Sequence, residues 1–263
     1  MGPREIKKTA MHTRVARAPL CFVVSLVCAT VMAAARGADA DDEVDAFLKE
    51  FVAKRETMHD YSANFKQTKV STLFDETEVS TGRVYYKRPG KILWDYRSPD
   101  VMKVLVKERV LSIYIEELEQ LEIYDFTREK KLRGLFLGFD ESPEELKELY
   151  DISLVESEED DRGACVKLVP KSEDLRAYFD SVTIWLRPKD FAIYKILILD
   201  PKVYPDDEAQ DTTLIELSGI RVNRGVREDL FTIDVPEGTE IIRQPVGEEQ
   251  FEEETLEPDE TLR

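Results

Sequence analysis

Apolar residues recur along this chain at two different periods, and the switch between them divides it. Val44, Phe47, Leu48, Phe51, Val52 and Met58 fall mostly three or four residues apart, which predicts an amphipathic helix opened by Asp41 or Asp42. After His59-Asp60 the period becomes two. Tyr61, Ala63 and Phe65 alternate with Ser62, Asn64 and Lys66, and strand signals continue through Val79–Lys87, Ile92–Arg97, Val101–Lys107, Leu111–Ile115 and Leu121–Phe126. Turns fall at Asp75-Glu76, Arg88-Pro89-Gly90 and Ser98-Pro99-Asp100, at hairpin distance from one another.

The middle of the chain breaks that rhythm. Thr127–Leu137 reads as a helix with Leu132, Leu135 and Phe136 on one side. Ser142-Pro143-Glu144-Glu145 opens a second helix, to about Tyr150, with a cap, a first-turn proline and a glutamate three residues on. Strands resume at Ile152–Glu156, Cys165–Pro170, Phe179–Arg187, Phe191–Leu199 and Thr212–Arg221, with a short last one near Phe231–Val235. The fold class predicted is mainly antiparallel β: an incomplete, curled barrel whose open side is covered by the helices. A filled core and a ligand cavity produce the same periodicity, so the pattern leaves both open.

The first forty residues change the picture of where the protein works. Arg14 and Arg17 precede a largely apolar run from Ala18 to Ala35, and small residues follow at Ala33-Ala34-Ala35 and Ala38-Asp39-Ala40. This is the form of a secretory signal, expected over 1–40, with an uncleaved anchor or a lipidated Cys28 as alternatives. A body over 41–246 follows, and then an acidic tail over 247–263, expected to be disordered. Residues 1–35 carry five Lys/Arg and one Asp/Glu, so the whole-chain charge of −18 becomes −22 without them. A body that negative repels nucleic acid and anionic membranes at long range.

Catalytic chemistry finds little support. Without the leader only His59 and Cys165 remain of the two histidines and three cysteines, too few for a zinc cluster or an internal disulfide. The acidic runs Asp39-Ala40-Asp41-Asp42 and Glu158-Glu159-Asp160-Asp161 lack a calcium-loop pattern and read as solvated surface. Cys165 sits in a strand pattern as a small packing residue. Fifty-five acids make chance carboxylate pairs unavoidable, so they do not argue for a glycosidase. The composition favours a binding protein without enzyme activity, cofactor or metal.

The motifs narrow this further. Phe65-x-Gln67, Gly82, the run Arg88-Pro89-x-x-x-Leu93-Trp94-x-Tyr96-x-x-Pro99, Gln120, and the late Leu230-Phe231-Thr232-Ile233-x-x-Pro236-Glu237-Gly238 occur in one order. From about Asp41 to Ile242 the chain resembles the LolA family of periplasmic lipoprotein carriers. That resemblance implies a half-open barrel around a cavity for lipoprotein acyl chains, in the periplasm of a Gram-negative bacterium. It implies cargo taken from an inner-membrane ABC transporter and handed to an outer-membrane acceptor, by a monomer that binds no nucleic acid. Arg88 stands at the family's lid-closing arginine; as a plain turn residue it would instead be exposed. The segment Leu111–Glu117 departs from the family's Gly-rich, Asp-containing hairpin, which keeps a second reading open, a lipid-binding or envelope-stress sensor.

By the same resemblance the cavity-lining candidates are Phe47, Phe51, Tyr61, Phe65, Leu93, Trp94, Leu132, Leu135 and Phe136. Neighbours on a regular strand point to opposite faces, so Leu93 and Trp94 exclude one another. Leu93 is expected inward.

Overall fold

The computed structural model describes residues 41–72, 74–127, 142–156, 163–202 and 210–244. The signal 1–40, the tail 247–263 and the predicted helix residues Leu132, Leu135 and Phe136 lie outside the described residues. By contacts the chain divides into a short unit, Met1–Glu43, and a body, Val44–Arg263, which holds every described strand.

Helix α1 covers residues 41–56, with Val44 and Leu48 buried and Phe47 and Phe51 half-buried along one stripe, as the spacing predicts. Asp41 and Asp42 lie inside the helix rather than ahead of it. Six strands follow: β1 (Asp60–Ser71), β2 (Glu76–Lys87), β3 (Lys91–Ser98), β4 (Met102–Lys107), β5 (Val110–Ile115) and β6 (Gln120–Asp125). Helix α2 (Pro143–Leu149) comes next, then β7 (Tyr150–Leu154), β8 (Cys165–Pro170), the single turn α3 (Glu173–Arg176), β9 (Ser181–Leu186), β10 (Ile193–Leu199) and β11 (Thr212–Val222). A 3-10 turn at Glu228–Phe231 and β12 (Glu240–Gln244) complete the described chain. The α2 cap forms as its sequence predicts: Ser142 Oγ accepts from the Glu145 amide at 3.2 Å, and Glu145 Oε2 accepts from the Ser142 amide at 2.9 Å. Among the described residues no helix is long and apolar enough to cross a membrane.

The twelve described strands join one unclosed sheet, in the order β12-β6-β5-β4-β3-β2-β1-β11-β10-β9-β8-β7. Each neighbouring pair is antiparallel except β12–β6, which is parallel. The strand expected near Phe231–Val235 is absent; this stretch begins as the 3-10 turn and continues without regular structure. Phe231 is 1% exposed and packs on Leu93 and Leu105, with Val226, Leu230 and Ile233 around it. Lys87 Nζ donates to Val226 O at 2.8 Å and pairs with Glu228 at 3.3 Å, which pins this crossing segment to the sheet's outer face. Anchoring by side chains on that face replaces strand pairing until β12 reaches the edge beside β6.

The larger core lies on the other face, from Val44 and Leu48 of α1 across to Val166, Val182 and Ile196. Its densest knot is made of the motif residues. Phe65 faces Gly82 across the β1–β2 ladder, and its ring meets Trp94 and Tyr96 edge-on with centroids 5.1 and 4.8 Å apart. A Cβ on Gly82 would stand 2.1 Å from the Asp95 carbonyl oxygen and 2.7 Å from the Phe65 ring, so only glycine lets the ring lie across the strand. Gln67 Oε1 accepts from the Tyr96 hydroxyl at 2.9 Å. Phe65-x-Gln67, Gly82 and Trp94-x-Tyr96 are therefore one packed unit rather than separate signals.

Candidate functional site

Between α1 and the core face of the sheet lies a cavity of about 210 Å³. Phe47, Leu48, Phe51 and Arg55 border it from α1; Tyr61, Val84, Tyr86, Ile92 and Trp94 border it from β1 to β3. Leu146, Tyr150, Val166, Ile184, Ile193 and Ile196 border it from the second half of the chain. Apart from its tyrosines, Arg55 and Asp190 are the only ionisable groups among the described lining residues. The volume exceeds the roughly 150 Å³ apolar cavity that takes up benzene and falls below the roughly 300 Å³ at which drug-sized ligand sites begin. Such a space suits a length of hydrocarbon chain and offers few groups to a polar substrate.

Alternation along β1 to β3 delivers these side chains. Tyr61, Ala63 and Phe65 share one face, and the register places Tyr86 opposite Tyr61 and Ile92 opposite Tyr86. The expectation for Leu93 is corrected: Trp94 borders the cavity, while Leu93 points to the outer face and packs on Phe231 and Leu105. Periodicity fixes that the two oppose each other; the apolar side chains delivered by the 3-10 turn decide which goes where. Phe65 is 3% exposed and sits beside the cavity as its solid wall rather than in its lining. Phe47, Phe51, Tyr61 and Trp94 line it.

One lining residue carries no sequence signal. Phe191 stands in the β9–β10 turn with φ at 51°, a conformation uncommon for a side chain of its bulk. Its ring lies 5.9 Å from Phe47 and 6.4 Å from Phe51. Arg187 makes two bonds to Asp190, at 3.1 and 2.6 Å, and Asp190 also accepts from the Ala192 amide at 3.2 Å. That clasp holds the turn in the shape that aims Phe191 at α1. A local sequence pattern cannot report a contact of this kind across the fold.

The C-terminal end of α1 is tied from two sides. Arg88 Nη1 donates to the carbonyl oxygens of Glu56 at 3.1 Å and Arg55 at 3.5 Å, which places the guanidinium at the negative end of the helix. Asn223, at the end of β11, accepts from the His59 amide at 2.7 Å and donates to the Thr57 carbonyl at 2.7 Å. Arg88 therefore meets α1, one of the two amphipathic segments expected to cover the open side; the other, 127–137, is described only at Thr127. Tyr61 donates to the Ile193 carbonyl at 2.9 Å across the core face. Burial pushes its phenol well above the usual tyrosine range, Arg187 drawing it down and Asp190 adding to the rise. Among the described residues no group of three or more His, Cys, Asp or Glu side chains is placed to hold a metal ion.

An unclosed, mostly antiparallel sheet holding a largely apolar cavity under a tethered helix defines a binding protein for hydrophobic ligands. Residues 56–234 match the model of the family described as outer membrane lipoprotein carrier protein LolA, and the chain belongs to that family. Two relatives carry the name outer-membrane lipoprotein carrier protein. The one from Pseudomonas entomophila (strain L48) is 27% identical over 220 residues, 83% of this chain and 97% of the relative. That from Pseudomonas putida (strain GB-1) is 26% identical over 198 residues, 75% and 86% of the two chains. A solved LolA superfamily protein from Nitrosomonas europaea aligns with a TM-score of 0.38 at 13% identity, over 71% of this chain and 97% of its own.

Proposed function

We propose that this protein is a periplasmic carrier that takes the acyl chains of lipoproteins into the cavity beneath α1 and moves them from the inner to the outer membrane. The observation that carries the reading is the cavity itself, lined mostly by apolar side chains and bordered by a helix tied by hydrogen bonds at its C-terminal end and by an ion pair between Asp45 and Lys147 nearer its start. Each methylene transferred from water contributes about 0.8 kcal/mol, before the cost of opening and ordering. Several chains need more room than about 210 Å³, so α1 acts as the lid and swings outward on loading. An inner-membrane ABC transporter and an outer-membrane acceptor are the partners this role requires, with the carrier working as a monomer. The family membership and the relatives' names support the cargo; the shuttle is the step proposed.

Arg88 tests the mechanism. Its bonds to Glu56 and Arg55 stabilise only the closed position of α1. Arg88→Leu removes about 1 kcal/mol from the closed state, a shift of about fivefold toward the open, loaded form. Purified wild type and Arg88→Leu are loaded with a labelled lipoprotein and offered acceptor membranes. Equal loading with slower release in the variant is expected; equal release would overturn the lid role of Arg88. Loss of saturable loading by the wild type would sink the carrier reading itself.

A further inference from the structure

The charge of this molecule is unevenly spread. Against a net −18 for the chain, Arg187, Lys189, Arg221 and Arg224 converge on one open cleft of about 470 Å³ between the β9–β10 turn and the end of β11. Asp190 is the single acid among its described lining residues, and it is occupied by Arg187. Lys189, Arg221 and Arg224 form no ion pair with any described acid. The nearby Asp60 carboxylate is spent on the amides of Arg224, at 2.9 Å, and Gly225, at 3.0 Å, which fixes the backbone from which Arg224 projects. Lys189, Arg221 and Arg224 repel one another with no described acid paired to any of them, so an anion that enters the cleft stabilises them.

Its position narrows the anion. Asp190 lines both this cleft and the apolar cavity, so the cationic site adjoins the cavity at the turn that aims Phe191 at α1. An amphiphile fits that arrangement, with its chain in the cavity and its head among the cations. A concave site of this size takes one headgroup, while the acidic body as a whole disfavours a flat anionic bilayer.

We propose that the Arg187–Lys189–Arg221–Arg224 cleft binds the phosphate headgroup of a lipid whose acyl chain occupies the cavity. The proposal rests on the acyl-chain reading for the chain half and on the cation cluster for the headgroup half. Calorimetric titration of the purified protein separates the two, with oleoyl lysophosphatidic acid, monoolein and inorganic phosphate as probes. At low salt the lysophosphatidic acid is expected to bind about tenfold more tightly than monoolein, with inorganic phosphate far weaker than either. In Arg221→Glu/Arg224→Glu the tenfold advantage is expected to vanish while monoolein affinity is unchanged, which also reports that the variant is folded. Equal affinities for the two lipids, or an advantage that survives charge reversal, would overturn the proposal. Phosphate alone binding as tightly as the lysolipid would overturn the headgroup assignment in favour of a free-anion site. If neither lipid binds, the acyl-chain reading fails and the lipid-headgroup proposal falls with it; phosphate binding abolished by charge reversal would then leave a free-anion site in its place.

Discussion

The core face of the sheet is solid around Phe65 and hollow beneath α1. In the solid region Phe65, Gly82, Trp94 and Tyr96 interlock within van der Waals and hydrogen-bond distance, and a single added methyl would collide with backbone. In the hollow region Phe47, Phe51 and Phe191 pack on one another, with centroids 5.9 to 6.4 Å apart, and form one wall of the open space beneath α1. Trp94 belongs to both, since its ring meets Phe65 at 72° and also borders the cavity. The motif residues thus close one part of the core face by direct contact, while α1 spans the part they leave open.

The largest effect should come from Gly82. Gly82→Ala puts a Cβ 2.1 Å from the Asp95 carbonyl oxygen, and backbone cannot yield as a side-chain tip can. The β2–β3 pair must separate or the Phe65 ring must leave, at a cost of about 4 kcal/mol, enough to unfold much of the population. Urea unfolding measures it. A cost below about 1 kcal/mol would mean that the Phe65 region is as yielding as the cavity, and the comparison would be lost.

The two regions should also answer differently to the same substitution. Phe65→Ala removes a ring that is 3% exposed and leaves a void in close-packed surroundings, for about 3 kcal/mol. Phe51→Ala removes a half-buried ring that already borders open space, for about 1 kcal/mol, but deletes a wall that an acyl chain would touch. Unfolding midpoints should rank them in that order, and affinity for a fluorescent acyl probe should fall several-fold only in Phe51→Ala. Equal stability losses, or a probe that ignores Phe51, would show that the hollow is not the binding region.

Much of the solid region was legible because its residues sit close together on consecutive strands. Period-two alternation places Tyr61 and Phe65 on one face, and the family motif supplies Gly82, Trp94 and Tyr96 within one meander. The α1 stripe was legible for the same local reason. The hollow region was not, because its geometry comes from distant partners. Phe191 is aimed by the Arg187–Asp190 clasp, and Leu93 is turned outward by Phe231, which arrives from the far end of the chain. Likewise β12 joins β6 in parallel across a separation of more than a hundred residues, which no hairpin spacing announces.

Alkaline pH offers the finest test, because it loads charge onto the solid region without changing a side chain. Burial, with a smaller push from Glu78, raises the Tyr96 phenol to about 12 from its ordinary 10. The folded protein then holds the Tyr96 proton more tightly than the unfolded chain does. The stabilisation this represents is fully present below pH 10 and is lost as pH rises from 10 through 12. By about pH 11.5 the loss is about 2 kcal/mol. In Tyr96→Phe the bond to Gln67 is gone, so the variant starts about 1 kcal/mol less stable at neutral pH, yet it has no phenol to ionise. Tyr61 is pushed upward as well and titrates in both proteins, so the difference between them isolates Tyr96. Urea midpoints followed from pH 8 to 11.5 should therefore converge and then cross. Parallel curves would mean that water reaches Tyr96, and the region around Phe65 would then be no more closed than the cavity beneath α1.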